Sequence, residues 1–144
     1  GQDRPALLAL AESLGLAGRF RLPGRIADVP GFLGELDVFV LSSDSEQHPN
    51  ALNEAMACGL PCVSTRVGCV EELLDGGRCG RIVEPGDLPG LTAALREMLA
   101  DADARGRLAA AARQQACARY SNERMLSAYD AMYRRLSAGE GAGR

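Results

Sequence analysis

The chain has 144 residues, 47% of them hydrophobic and 24% charged, with a net charge of −3. That length and balance fit one globular domain able to bury a core. They exclude a membrane-spanning helix, because no apolar run nears the roughly 20 residues such a span needs. They also exclude a nucleic-acid partner, because the basic residues are scattered instead of gathered into one face.

The opening, Gly1-Gln2-Asp3-Arg4, has no initiator Met and no apolar stretch of a signal peptide behind it, so the sequence reads as a piece of a longer protein. Residues 5–15 read as a helix with Leu7, Leu8, Leu10 and Leu14 on one apolar face and Gly15 ending it. A short strand is expected near Arg19–Leu22, closed by Pro23-Gly24. Next comes a short helix near Val29–Leu36, with Pro30 in its first turn. Leu36–Leu41 is the clearest strand, apolar throughout after Asp37, the pattern of a strand buried on both faces.

Ser42-Ser43-Asp44-Ser45 closes that strand, and Pro49 opens a helix to about Cys58, capped by Gly59. Pro61–Ser64 reads as a strand, Val70–Leu74 as a short helix, and Gly80–Val83 as a last strand stopped by Pro85-Gly86. Asp87 caps a helix from Leu88 to Leu99. Asp101 or Asp103 starts another, to about Tyr120. Ser121 caps a third, with Met125, Leu126, Tyr129, Met132, Tyr133 and Leu136 at helical spacing. The tail, residues 138–144, is small and polar and is expected to be disordered.

Strands alternating with helices predict an α/β fold with a parallel sheet and helices on both faces. Ligands in such sheets bind at the carboxyl ends of the strands. The loops after Leu41, Ser64 and Val83 are therefore the candidate sites. The loop after Leu41 leaves a strand, turns and enters a helix, whose free N–H groups favour anionic or hydroxyl-rich ligands. It carries Glu46 before the helix and Glu54 within it. Eight residues of continuous helix would part them by about 12 Å. That is too far for the roughly 5.5 Å carboxylate pair of a retaining hydrolase, and it suits two grips on one extended, hydroxylated ligand. The spacing alone fits equally well a surface carboxylate on an ordinary helix and a solvated loop charge.

The residues around this spacing resemble those of the retaining GT-B glycosyltransferases, the group 1 or family 4 enzymes. Glu46 and Glu54 reproduce that family's E-x7-E signature. Asp37–Ser43 resembles the strand before it, and Glu54-Ala55-Met56-Ala57-Cys58-Gly59-Leu60-Pro61 the helix and turn after it. Gly68, Glu72, Gly80 and Pro85-Gly86-Asp87 resemble downstream positions, so the likeness runs from about Pro5 to Leu136.

The resemblance implies a partial Rossmann-like sheet, the C-terminal half of a GT-B fold, with residues 1–137 as a partial nucleotide-sugar-binding domain. It implies transfer of a sugar, with retention, from a nucleotide diphosphate sugar to an acceptor that is a lipid, a polysaccharide or a small molecule. Glu54 would bind the ribose. Glu46 would be the catalytic carboxylate on the donor sugar's hydroxyls. Gln47, His48, Pro49 and Asn50 would help hold that sugar, mainly through backbone amides. Arg25 and Ile26 would approach the nucleobase, and Gly68 would line the donor pocket. No cofactor and no metal are expected, and the location expected is the cytoplasm, free or peripheral to the inner face of the membrane.

Two positions depart from the family's commonest pattern. Gln47 stands where Gly usually follows the first Glu, a known variant form, and Cys69 replaces the second Gly of a Gly-Gly pair. The resemblance also places an Arg/Lys pair for the diphosphate, two sheet strands and an acceptor-binding N-terminal domain upstream of Gly1. The chain alone is therefore expected to be catalytically inactive. His48, the sole His, occupies a position with a backbone role in the family and is not expected to act as a base. Five cysteines without a CxxC pair read as buried thiols of a reducing compartment.

Overall fold

A computed structural model describes residues 2–138. Apart from Ala138, the expected tail lies outside the described residues. Seven helices and three strands follow in chain order: α1 (Arg4–Ser13), α2 (Val29–Gly34), β1 (Phe39–Leu41), α3 (Asn50–Ala57), β2 (Cys62–Thr65), α4 (Val70–Leu73), β3 (Arg81–Val83), α5 (Leu88–Ala100), α6 (Ala102–Arg119) and α7 (Asn122–Ser137), with a 3-10 turn at Asp75–Gly77.

The helix starts follow local chemistry. Asp28, Asp87 and Asp101 each accept an amide proton three residues on, from Gly31 at 3.0 Å, Gly90 at 2.9 Å and Ala104 at 2.8 Å. Ser121 does the same for Arg124 at 3.3 Å. Each cap satisfies a donor that the first helical turn leaves open.

The strands form one parallel sheet in the order β1-β2-β3. Phe39, Val40 and Leu41 pair with Cys62, Val63 and Ser64. Val63, Ser64 and Thr65 pair in turn with Arg81, Ile82 and Val83. On one face α3 and α6 cover the sheet. Leu52, Ala55 and Met56 of α3 meet Ala112 and Ala116 of α6 over Cys62, Leu41 and Ile82. Alanines at the crossing let the two helices approach closely. On the other face α5 sets Ala94 and Met98 against Val63 and Val83.

Three expectations are corrected here. Residues 19–22 form no strand, although they run in irregular, non-helical backbone. A strand exists only through a ladder partner, and the described residues offer none. The Leu22 carbonyl is met instead by the Arg4 guanidinium at 2.6 Å. Second, β1 begins at Phe39, not Leu36, and is not buried on both faces: Val40 is 39% exposed. It pairs with Val63, on the face where α5 packs mainly on β2 and β3. Only β2 is buried at every position.

The third correction concerns α1 and α7. Their apolar residues have the predicted helical spacing, yet Leu7, Leu8, Leu10 and Leu14 of the first, and Met125, Leu126, Tyr129, Tyr133 and Leu136 of the second, are exposed. Periodicity fixes which residues share a face, not whether something covers it. The accessible surface, 10083 Å², exceeds the roughly 7,100 Å² of a compact monomer of this mass by about 40%.

Candidate functional site

The site is built at the carboxyl ends of β1 and β2. After Leu41 the chain turns through residues 42–49 and enters α3 at Asn50, with Pro49 as the buried residue before the first turn. No side chain caps α3. The Leu52 and Asn53 amides bond the Pro49 carbonyl at 3.1 and 3.3 Å, and the amides of Asn50 and Ala51 have no side-chain acceptor among the described residues. Glu46 is half-buried in the loop. Glu54 is exposed on α3.

The loop is held from three sides. Ser43 Oγ donates to Glu46 Oε1 at 2.9 Å. Thr65, 4% exposed at the end of β2, reaches across with its Oγ1 to the carbonyl oxygens of Ser43 at 2.6 Å and Leu41 at 3.4 Å. From the turn after β2, the Cys69 amide donates to the Gln47 carbonyl at 3.1 Å. Gly68 makes that last contact feasible. Its φ is +50°, and a methyl there would come within 2.5 Å of the Glu46 carbonyl oxygen and closer still to that of Gln47. Cys69 itself has φ −93° and ψ 18°, a backbone any residue can adopt, so only the first of the two positions demands glycine.

The structure brings together Glu46, Gln47, His48, Pro49, Asn50 and Gly68 in one loop pair, with Glu54 on the helix that follows. His48 turns its ring edge-on to Tyr120, centroids 6.2 Å apart, and so packs toward the α6–α7 junction. Arg25, exposed, and Ile26, half-buried, sit in the irregular stretch before α2. No side-chain hydrogen bond joins them to the loop among the described residues.

Sequence reasoning missed Ser43, Thr65 and Arg66. Ser43 lies in the loop the sequence singles out, but no local signal marks it as Glu46's partner; Thr65 and Arg66 gave none either, because they meet Ser43 and Glu84 across 22 and 18 residues. Arg66 lies at the same end of β2, but Glu84 at 2.7 Å and Glu71 at 2.6 Å hold its guanidinium, hydrogen bonds that push its pKa further up. Its charge is already answered by two carboxylates. Among the described residues no three His, Cys, Asp or Glu side chains converge, and no helix is long and apolar enough to cross a membrane.

A parallel sheet with helices on both faces and a polar loop at the strand ends is the α/β layer in which ligands generally bind at the carboxyl ends of the strands. Residues 1–101 match the family described as glycosyl transferases group 1, and the chain belongs to it. It is 36% identical over 129 residues to the lipopolysaccharide core biosynthesis glycosyltransferase LpsE of Rhizobium meliloti, covering 90% of this chain and 38% of that protein. It is 30% identical over 133 residues to N-acetyl-alpha-D-glucosaminyl L-malate synthase of Bacillus anthracis, covering 92% and 35%. The chain thus spans just over a third of the length of these relatives.

Among solved structures, sucrose-phosphate synthase of Thermosynechococcus elongatus superposes with a TM-score of 0.89 at 26% identity, over 96% of this chain and 35% of that one. HepE of Anabaena, solved with UDP-glucose, superposes with a TM-score of 0.84 at 26% identity, over 95% and 37%. The fold is that of part of a GT-B glycosyltransferase.

Proposed function

We propose that this chain holds the nucleotide-sugar donor of a retaining glycosyltransferase. One observation carries the reading: Glu46 and Glu54 flank the start of α3, in a loop tied to the Gly68–Cys69 turn, in a chain that belongs to a glycosyltransferase family. Glu54 accepts hydrogen bonds from the ribose, and Glu46 accepts them from the donor sugar's hydroxyls. The uncapped amides at the start of α3 favour the electron-rich oxygens of the same sugar. Arg25 and Ile26 approach the base. The departing diphosphate needs positive charge, and Arg66 does not supply it, since Glu71 and Glu84 occupy it.

In this reading the donor needs no metal or cofactor. The acceptor, a lipid, polysaccharide or small molecule, meets the sugar in the cytoplasm, free or at the inner face of the membrane. HepE was solved with UDP-glucose, which makes UDP and UDP-glucose the first probes.

Calorimetric titration of the chain and of its Glu46→Gln and Glu54→Gln variants tests the roles. Glu54→Gln should weaken UDP and UDP-glucose alike. Glu46→Gln should weaken UDP-glucose and leave UDP unchanged. Equal binding of UDP-glucose by the chain and the Glu46→Gln variant would remove Glu46 from the sugar site.

A further inference from the structure

We propose that Thr65 is a positioning residue for Glu46, acting through Ser43. The contacts run in series from the sheet to the carboxylate. Thr65 is the last residue of β2 and is 4% exposed, so its hydroxyl has no water to turn to. It donates to the Ser43 carbonyl at 2.6 Å, with the Leu41 carbonyl a longer second acceptor at 3.4 Å. The bond continues the β1–β2 link past the last paired residues, Leu41 and Ser64, into the loop. Ser43, fixed by its own carbonyl, donates its Oγ proton to Glu46 Oε1 at 2.9 Å.

One carboxylate oxygen is therefore held, and the other is left to accept from a ligand. A buried strand residue fixes the direction of a half-buried carboxylate three positions beyond the residue it touches. The Gln47–Cys69 bond closes the same loop from the far side. A threonine suits the task, because its branched β-carbon limits χ1 and aims the hydroxyl.

The inference rests on the donor-binding reading of Glu46, and two readouts keep them separable. The first needs no ligand: hydrogen exchange at the Cys69 amide, whose acceptor is the Gln47 carbonyl. Thr65→Val keeps the side-chain shape and removes the hydroxyl, so it should speed that exchange while the Arg66 amide, bonded to Val83 at 2.7 Å, stays protected. Thr65→Ser should restore the protected state.

The second readout is the ratio of UDP-glucose to UDP affinity. Thr65→Val and Ser43→Ala should each lower it about fivefold to tenfold, the value of one hydrogen bond, with UDP affinity unchanged and Thr65→Ser close to the parent. Unchanged Cys69 exchange in Thr65→Val overturns the proposal. So does a fall in which UDP and UDP-glucose weaken equally, or one that Thr65→Ser does not rescue. A parent chain that binds neither probe counts against the donor reading alone, and the exchange measurement still decides whether Thr65 holds the loop.

Discussion

The backbone amide of Cys69 donates to the backbone carbonyl of Gln47 at 3.1 Å, across two loops that belong to different strands. This bond brings the turn after β2 against the loop that carries Glu46. It depends on Gly68, the residue between β2's turn and the donor amide, having no side chain.

Gly68→Ala is therefore expected to be doubly unfavourable. The added methyl meets the Gln47 and Glu46 carbonyls, and φ +50° strains any L-residue. The variant should lose more than about 1 kcal/mol of stability and its affinity for UDP-glucose. Gly24→Ala is the control. Its φ is +81° and nothing lies within 4 Å, so it carries the strain without the collision. Urea unfolding and calorimetry on both variants separate the two effects.

Leu52 is wholly buried between β1, β2 and α6, on the helix that presents Glu54. Leu52→Ala should lower stability by about 2–5 kcal/mol, the range for emptying such a site. The expected record is a lower urea midpoint with an unchanged slope.

Asp87→Ala removes the acceptor of the Gly90 amide at the start of α5. It should lower stability by about 0.5–2 kcal/mol. Asp87→Asn, which keeps an acceptor oxygen, should recover most of the loss in the same thermal unfolding measurement.

Burial, and next the neighbouring Cys79, push the Cys62 thiol up to about 12. The folded state thus favours the neutral thiol more than the unfolded state does, where it ionises near 8.5. Stability from this source is fully present below pH of about 8.5 and is lost as pH rises from there toward 12. Cys69, Cys79 and Tyr120 are shifted the same way, mainly by burial. Urea midpoints should fall between pH 8 and pH 10.5, and Cys62→Ala should flatten the fall. Only Cys62 and Cys79 are buried, against the expectation of five buried thiols, and exposed Cys117 should react with a thiol reagent well before Cys62 in the native chain.

Much of the chain was legible because its signals are local. Asp87 and Ser121, and Asp101 as one of two candidates with Asp103, start helices by bonding an amide three residues away, so a few adjacent residues contain the whole interaction; Asp28 does the same at α2 but was not read as a cap. The loop with Glu46 and the helix with Glu54 were legible for a related reason. A strand end, a polar turn and a proline state the geometry in sequence, and the surrounding residues match a family pattern.

The sequence by itself thus determined the α/β order, the caps at Asp87 and Ser121, the candidate carboxylates and the family. Tertiary structure alone decided the rest. Residues 19–22 have a strand's composition, but a strand is made by its partner. Leu10 and Leu126 have a core's spacing, but burial is conferred by whatever packs on the face. Thr65 reaches Ser43 across 22 residues, and Arg66 meets Glu84 across 18. Side chains that far apart are joined by the sheet's register, and no local pattern of hydrophobicity, turn or cap encodes which hydroxyl will face which carbonyl.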